Sequence, residues 1–240
     1  SAPVPPGGTI GILGGGQLGR MLALAAARAG LKAHIYSDVA DAPAFQVCDA
    51  HTVAAYEDEA ALAKFAAACD AVTYEFENVP AAAAAVLAKS RPTNPNATAL
   101  ATTQDRFDEK SFVAMLGLKT ANFATINSAA DAEPAFAEIN GPSILKTRRL
   151  GYDGKGQAKV KSAAECAAAF AAFKSAPCIL EGFVPFEFED SVVAVRGAKG
   201  EYSAYDPAEN IHENHILARS VVPARLTAKQ TDDAKAIAHR

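Results

Sequence analysis

The sequence predicts a parallel α/β unit in its first third and an α+β arrangement in the remainder. Three observations carry this reading. A short apolar run ending in glycines, "TIGILGGGQLG", opens at residue 9 as a buried strand, a turn and a helix start. Strand and helix patterns then alternate through about residue 90. After "RPTNP" the texture changes to a helix followed by short strands, with hairpin spacing towards the end.

The elements follow in order. "QLGRMLALAAARAG" carries Leu18, Met21, Leu22, Ala25 and Ala29 at helical spacing, with Gly30 as its stop. "KAHIYS" is strand-like, "EDEAALAKFAAAC" helical, and "DAVTYEF" a strand rich in β-formers. "PAAAAAVLAKS" places Pro80 at a first helical position. "QDRFDEKSFVAMLGL" is a helix, and "NFATI", "SILKT", "QAKVK", "ECAAAFAAFK" and "CILEG" alternate strand and helix again. "SVVAVRGAKGEYSAY" predicts a hairpin turning at Gly197–Gly200, then a strand near "HILARSVV" and a helix capped by Thr227.

With 240 residues, half of them apolar, the chain can bury one or two cores. A net charge of −4 gives no electrostatic reason to expect nucleic acid or an anionic membrane. No run reaches the roughly 18–20 apolar residues of a spanning helix. Cys48, Cys69, Cys166 and Cys178 lack paired spacing and read as thiols of a reducing compartment, so a cytoplasmic setting is expected. The leader "SAPVPPGG" is expected to be a disordered tail.

Two glycine loops carry the chemistry. Gly14-x-Gly16-x-x-Gly19, followed by Asp38 at the end of the next strand, has the spacing of a dinucleotide fingerprint. Its backbone N–H groups and the following helix start favour an anion. The same glycines also serve a tight strand–helix turn, so this loop alone names no cofactor. The second loop, "ILKTRRLGYDGKGQ" at residues 144–157, is more telling. It sets Lys146, Arg148, Arg149 and Lys155 around Gly151, Gly154 and Gly156, with Tyr152 and Asp153 at its centre. Mobile backbone and clustered cations suit a triphosphate, whose oxygens need both donors and offsetting charge. A nicotinamide enzyme has no use for it. "CILEGFVPFEFEDSVVAV" then reads as a hinge between layers, with backbone groups able to pair with an adenine edge.

Taken together, "IGILGGGQLGRML", "YEFENVP", "ILKTRRLGYDGKGQ", "ILEGFVPFEFE" and "ENIHENHIL" resemble the N5-carboxyaminoimidazole ribonucleotide synthetases. These ATP-grasp enzymes are also called ATPase subunits of phosphoribosylaminoimidazole carboxylase. The resemblance covers nearly the whole chain. It implies an N-terminal Rossmann-like pre-ATP-grasp domain, a small α+β lid, and the start of an antiparallel ATP-grasp domain. The corresponding boundaries are a tail at 1–8, the α/β domain at 9–100, a helical connector at 101–121, the lid at 122–183 and the ATP-grasp domain at 184–240.

The resemblance also implies ATP, Mg2+, bicarbonate and 5-aminoimidazole ribonucleotide, and a homodimer. Arg106 and Lys146 would take the ATP phosphates, and Gly151, Gly154, Gly156 and Gln157 belong to the loop that closes over them. Glu181, Gly182, Phe183 and Val184 would meet the adenine, Glu189 the ribose, and His212 the nucleotide as well. Gly16, Gln17 and Leu18 would hold the phosphate of the aminoimidazole ribonucleotide, with Glu75 facing its ribose. Tyr152, Asp153 and Lys155 would stand where the substrates meet, as the catalytic group.

Three departures stand out. Leu150 occupies a position where the family has glycine; if the site needs a positive φ, leucine costs about 1–2 kcal/mol. Asp190 replaces an apolar residue. The family's Mg2+-binding acidic strand pair has no counterpart, since Glu201, Glu209 and Glu213 do not match it, and no metal ligand is assigned. A chain ending at residue 240 is therefore expected to be unable to complete the reaction. Competing readings are another ATP-grasp carboxylate–amine ligase, a non-catalytic nucleotide-binding fragment, and a nucleotide-dependent oxidoreductase. The last leaves the second glycine loop unexplained.

Overall fold

The computed structural model describes residues 3–151, 154–214 and 216–240, and the chain divides after Gln104 into two units. The first unit runs β1 (Thr9–Leu13), α1 (Gln17–Arg28), β2 (Lys32–Ser37), β3 (Ala50–Val53), α2 (Glu59–Ala67), β4 (Ala71–Tyr74), α3 (Ala81–Ala88) and α4 (Ala97–Gln104). Its four strands lie parallel in the order β3-β2-β1-β4, with Ile12 opposite both Ile35 and Thr73. Successive side chains of a strand point to opposite faces, and both faces of this sheet are covered. Leu13, Tyr36, Phe65, Val72 and Leu87 fill one side; Ile12, Ile35, Ala23 and Ala44 fill the other. This is why β2 is buried from Ala33 to Ser37.

The second unit begins with α5 (Arg106–Met115), whose first turn is capped by the Asp105 carboxylate on the Phe107 N–H at 2.9 Å. It continues with β5 (Phe123–Ile126), α6 (Ala132–Ile139), β6 (Ser143–Thr147), β7 (Gln157–Val160), α7 (Ala163–Ala172) and β8 (Cys178–Gly182). These strands form an antiparallel sheet in the order β5-β8-β6-β7. Ile126, Leu145, Val160 and Leu180 on its inner face pack against Cys166 and Phe170 of α7 and Ala135 of α6. Next come β9 (Glu189–Ser191), β10 (Ala194–Arg196), β11 (Tyr202–Ala204), β12 (Ala208–Glu213), β13 (Ile216–Val221) and α8 (Ala228–His239). β10 and β11 form the hairpin expected around Gly197–Gly200, while β13-β12-β9 make a second antiparallel sheet. Thr227 caps α8 through a box with Gln230.

Several particulars differ from the sequence expectation. The Leu18, Met21 and Leu22 stripe of α1 is 55%, 56% and 38% exposed, and it is Gly19 and Ala23 that are buried. The small face wins because the helix lies too close to the β1 turn for anything larger: a Cβ at Gly19 would stand 2.5 Å from the Gly14 carbonyl oxygen. Pro80 is the N-cap of α3 rather than its first helical residue. β3, α4, α6 and β12 were not anticipated. β3 and β12 show little apolar alternation, and Pro134 in "AEPAFAEI" reads as a breaker although it falls in the first turn of α6, where its missing N–H costs nothing. Within the expected tail, the Gly7 N–H donates to Gly30 O at 2.7 Å and Gly8 O accepts from the Lys32 N–H at 2.8 Å.

Candidate functional site

In the first unit the glycine loop lies between β1 and α1, at the carboxyl end of the sheet. Gly14 takes φ +105°, and a Cβ there would sit 2.2 Å from Glu75 Cγ. Glu75 follows β4 directly, and its carboxylate fills the loop: Oε1 accepts from the Gly16 N–H at 2.9 Å and Oε2 from the Gly19 N–H at 3.2 Å. The structure thus joins Gly16 and Glu75 in one feature but gives the Gly16 amide a protein partner. A carboxylate already held on the loop opposes the pyrophosphate of a dinucleotide at the same amides. Gln17 and Leu18 are the first two helical residues of α1, and their amides have no partner within the helix. Beside Glu75, Tyr74, Phe76, Glu77, Pro95, Ala99, Leu100 and Thr103 line a recess of about 390 Å3.

In the second unit, Lys146 lies on β6 and Glu181 near the end of β8, the two strands being paired. Lys146 Nζ donates to Glu181 Oε2 at 2.9 Å. Arg106 opens α5; its guanidinium donates to Gly151 O at 3.3 Å and its N–H to Arg148 O at 3.0 Å. Arg148 in turn is paired with Asp105, Nη2 lying 2.8 Å from Oδ2. Burial alone would raise the Asp105 carboxyl, but the Arg148 hydrogen bonds and the Phe107 and Asp108 amides outweigh it and hold it below its ordinary value. The glycine loop therefore springs from a base anchored to the start of α5. Gly154 and Gly156 take φ of 78° and 68°, the left-handed conformation that favours glycine. Lys155 lies between them; Tyr152 and Asp153 fall outside the described residues.

The hinge after β8 keeps Gly182 and Phe183 hydrogen-bonded, their N–H groups donating to Asn122 O and Pro142 O at 2.9 Å each. Lys159 Nζ stands 5.7 Å from the Phe183 ring centroid. Phe183 and Val184 are about half exposed, at 48% and 50%.

Gly154, Gln157, Glu189 and His212 converge on one cleft of about 780 Å3, lined also by Phe186, Glu187, Phe188, Glu209, Asn210, Ile211 and Asn214. β9 and β12 pair so that Glu189 lies opposite Asn210, and His212 Nδ1 approaches Glu189 Oε1 to 3.5 Å. A bulge between Ile211 and His212 shifts the register at that point. The cleft is polar and apolar in nearly equal parts, with Phe186, Phe188 and Ile211 beside Glu187, Glu189, Glu209 and His212. Lys146 and Glu181 are not among its lining residues.

Sequence reasoning missed Lys110, whose Nζ lies 3.4 Å from Glu181 Oε2. Its signal was present: Lys110 stands four residues after Arg106 on the same helix, hence on the same face. It also missed the Asp105–Arg148 and Glu209–Arg225 pairs, which join residues far apart in sequence and leave no local pattern.

The site can now be set beside known proteins. The model of the ribonucleotide synthetase preATP-grasp domain matches residues 8–104, and that of the ATP-grasp domain matches residues 111–240. Over 98% of its length the chain is 49% identical to the N5-carboxyaminoimidazole ribonucleotide synthase of Brucella melitensis, of which it covers 66%. A crystal structure of the ADP complex of an N5-carboxyaminoimidazole ribonucleotide synthetase aligns with a TM-score of 0.91 at 43% identity, covering 97% of this chain and 62% of that one. The Aspergillus clavatus synthase in complex with ADP and 5-aminoimidazole ribonucleotide aligns at 0.86 and 27% identity, covering 98% and 62%. The chain thus spans less than two thirds of the length of these relatives. From its parallel α/β unit, its antiparallel lid with a glycine loop, and the match of more than half its residues, the chain belongs to the ATP-grasp family.

Proposed function

We propose that this protein is an ATP-dependent ligase of purine biosynthesis that carboxylates 5-aminoimidazole ribonucleotide with bicarbonate. The observation that carries the proposal is the convergence of Gly154 and Gln157 of the glycine loop with Glu189 and His212 on one cleft. Similarity to the ADP complexes supports a nucleotide there. Arg106 and Lys146 take its phosphates, the loop from Gly151 to Gln157 closes over them, Glu181–Val184 meet the adenine, and Glu189 with His212 hold the ribose side. In the first unit, the amides of Gln17 and Leu18, next to the Gly16 amide that Glu75 holds, take the phosphate of the aminoimidazole ribonucleotide, and Glu75 faces its ribose.

A bicarbonate oxygen attacks the γ-phosphorus of ATP, the bond to the β-phosphate oxygen breaks, and carboxyphosphate and ADP form. The protein's share is positioning and charge: Lys146 and Arg106 offset the negative charge that shifts onto the leaving phosphate. Carboxyphosphate is labile in water, which gives the closing lid its purpose. The exocyclic amine then attacks the carboxyl carbon, phosphate leaves, and the N5-carbamate remains after loss of a proton. Tyr152, Asp153 and Lys155 stand in this reading where the two substrates meet. Mg2+ belongs to the same reading; among the described residues no group of three His, Cys, Asp or Glu side chains is placed to hold a metal ion. A homodimer and a cytoplasmic setting complete it. The four cysteines are free thiols, and no described helix is long and apolar enough to cross a membrane.

Steady-state kinetics of two variants, each made in a complete version of the enzyme, test the assignment. Lys146→Ala loses a charge-assisted phosphate contact of about 1.5–3 kcal/mol and should raise KM for ATP and lower kcat. Gln17→Ala should raise KM for the aminoimidazole ribonucleotide and leave that for ATP nearly unchanged. The same phenotype from both would refute two separate anion sites.

A further inference from the structure

Glu181 is a carboxylate with more cations than it needs. Its side chain is 8% exposed, and Oε2 alone serves two ammonium groups from different elements, Lys146 of β6 at 2.9 Å and Lys110 of α5 at 3.4 Å. Oε1 is buried and has no hydrogen-bond partner among the described residues. Glu109 of the same helix also faces Lys110, Arg106 and Glu181, so three cations, Arg106, Lys110 and Lys146, stand against two carboxylates, and one positive charge is in surplus. An arrangement built only for packing would need one cation per carboxylate. The surplus suits a site that receives an anion.

We propose that Lys110 is a positioning residue: it is the counter-ion that stays with Glu181 when Lys146 turns to the nucleotide phosphates. The inference rests on the nucleotide reading of Lys146 given above. A buried carboxylate stripped of its cation is unfavourable, so with Lys146 as sole partner it would hold that ammonium back. Lysine's flexible stem and three donors let each ammonium shift between partners. Lys110 is already within ion-pair reach and is steadied over the Phe123 ring, 5.9 Å from its centroid. When Lys146 leaves, Lys110 inherits the carboxylate, and Lys146 reaches the phosphates without an orphaned charge behind it.

The test is calorimetric titration of the full chain with ADP, with the melting temperature of each unliganded variant measured in parallel. Lys110→Met should weaken ADP binding about tenfold, because Glu181 then competes for Lys146. Lys110→Arg, which keeps the charge, should restore affinity to within about threefold. In a Glu181→Gln background no buried charge needs a partner, so adding Lys110→Met should change affinity less than about twofold. Lys110→Gln repeats both comparisons where the methionine variant does not fold. An equal loss in both backgrounds would mean that Lys110 acts without Glu181 and would overturn the proposal. So would an unchanged affinity of Lys110→Met beside a strong loss in Lys146→Ala, since Lys146 would then bridge carboxylate and phosphate unaided. If Lys146→Ala itself binds ADP normally, the nucleotide reading of Lys146 fails, and this inference with it.

Discussion

Leu150 shows how much one residue type can matter at a turn. It lies in the loop between β6 and β7 with φ 63°, in the left-handed region, and is 71% exposed. The conditional expectation drawn from sequence is thereby met: the position does take a positive φ. Leucine there carries about 1–2 kcal/mol of strain, while glycine would add about 0.5–1 kcal/mol of unfolded-state entropy. Leu150→Gly should therefore stabilise the protein by up to about 1 kcal/mol. Leu150→Val, β-branched at the same φ, should destabilise it. Urea denaturation midpoints check both, and a loss on going to glycine would mean that the leucine side chain has contacts worth more than its strain.

Among elements, β12 is tied to the segment before α8 by one ion pair. Glu209 is buried at the sheet, and the Arg225 side chain donates Nε to Oε2 at 2.8 Å and Nη2 to Oε1. Hydrogen bonds from Arg225 are the main cause that holds the Glu209 carboxyl at about 2, against an ordinary 4.5. The carboxyl is depressed on folding, so its contribution is complete above pH 4.5 and is lost as pH falls towards 2. Wild type should lose stability across that window, and Glu209→Gln should lack that part of the slope while being less stable at neutral pH. Arg225 is 81% exposed, so added salt should shrink the difference. Thermal melts over a pH series decide it; identical slopes would remove the pair from the account.

On the scale of the whole molecule, each unit has a hydrophobic core of its own, with Leu87 fully buried in the first and Leu145 in the second. Either one replaced by alanine should cost about 2–5 kcal/mol, within its own unit. The proposed nucleotide residues all belong to the second unit, so ADP should stabilise the transition that Leu145→Ala lowers, and not the one that Leu87→Ala lowers. Differential scanning calorimetry of the two variants, with and without ADP, reads this directly. An equal ADP shift of both transitions would show that the units unfold as one.

The sequence by itself determined what local chemistry can encode. The alternation of apolar runs and helical stripes specified the parallel α/β unit, the lid strands and α7, and the two glycines at 197 and 200 specified the hairpin. Five motif blocks in order pointed to the family and to Lys146, Glu181, Glu189 and His212. Only the tertiary structure decided which groups answer one another. Glu75 reaches an amide 59 residues away to fill the glycine loop, and Glu181 gathers cations from α5 and β6. The packed face of α1 proved to be Gly19 and Ala23 rather than its leucines, because the distance to a neighbouring carbonyl set the limit. Periodicity and turn chemistry act over a few residues and are written in the chain. Charge pairing and close approach depend on where distant segments come to rest, and no local pattern records that.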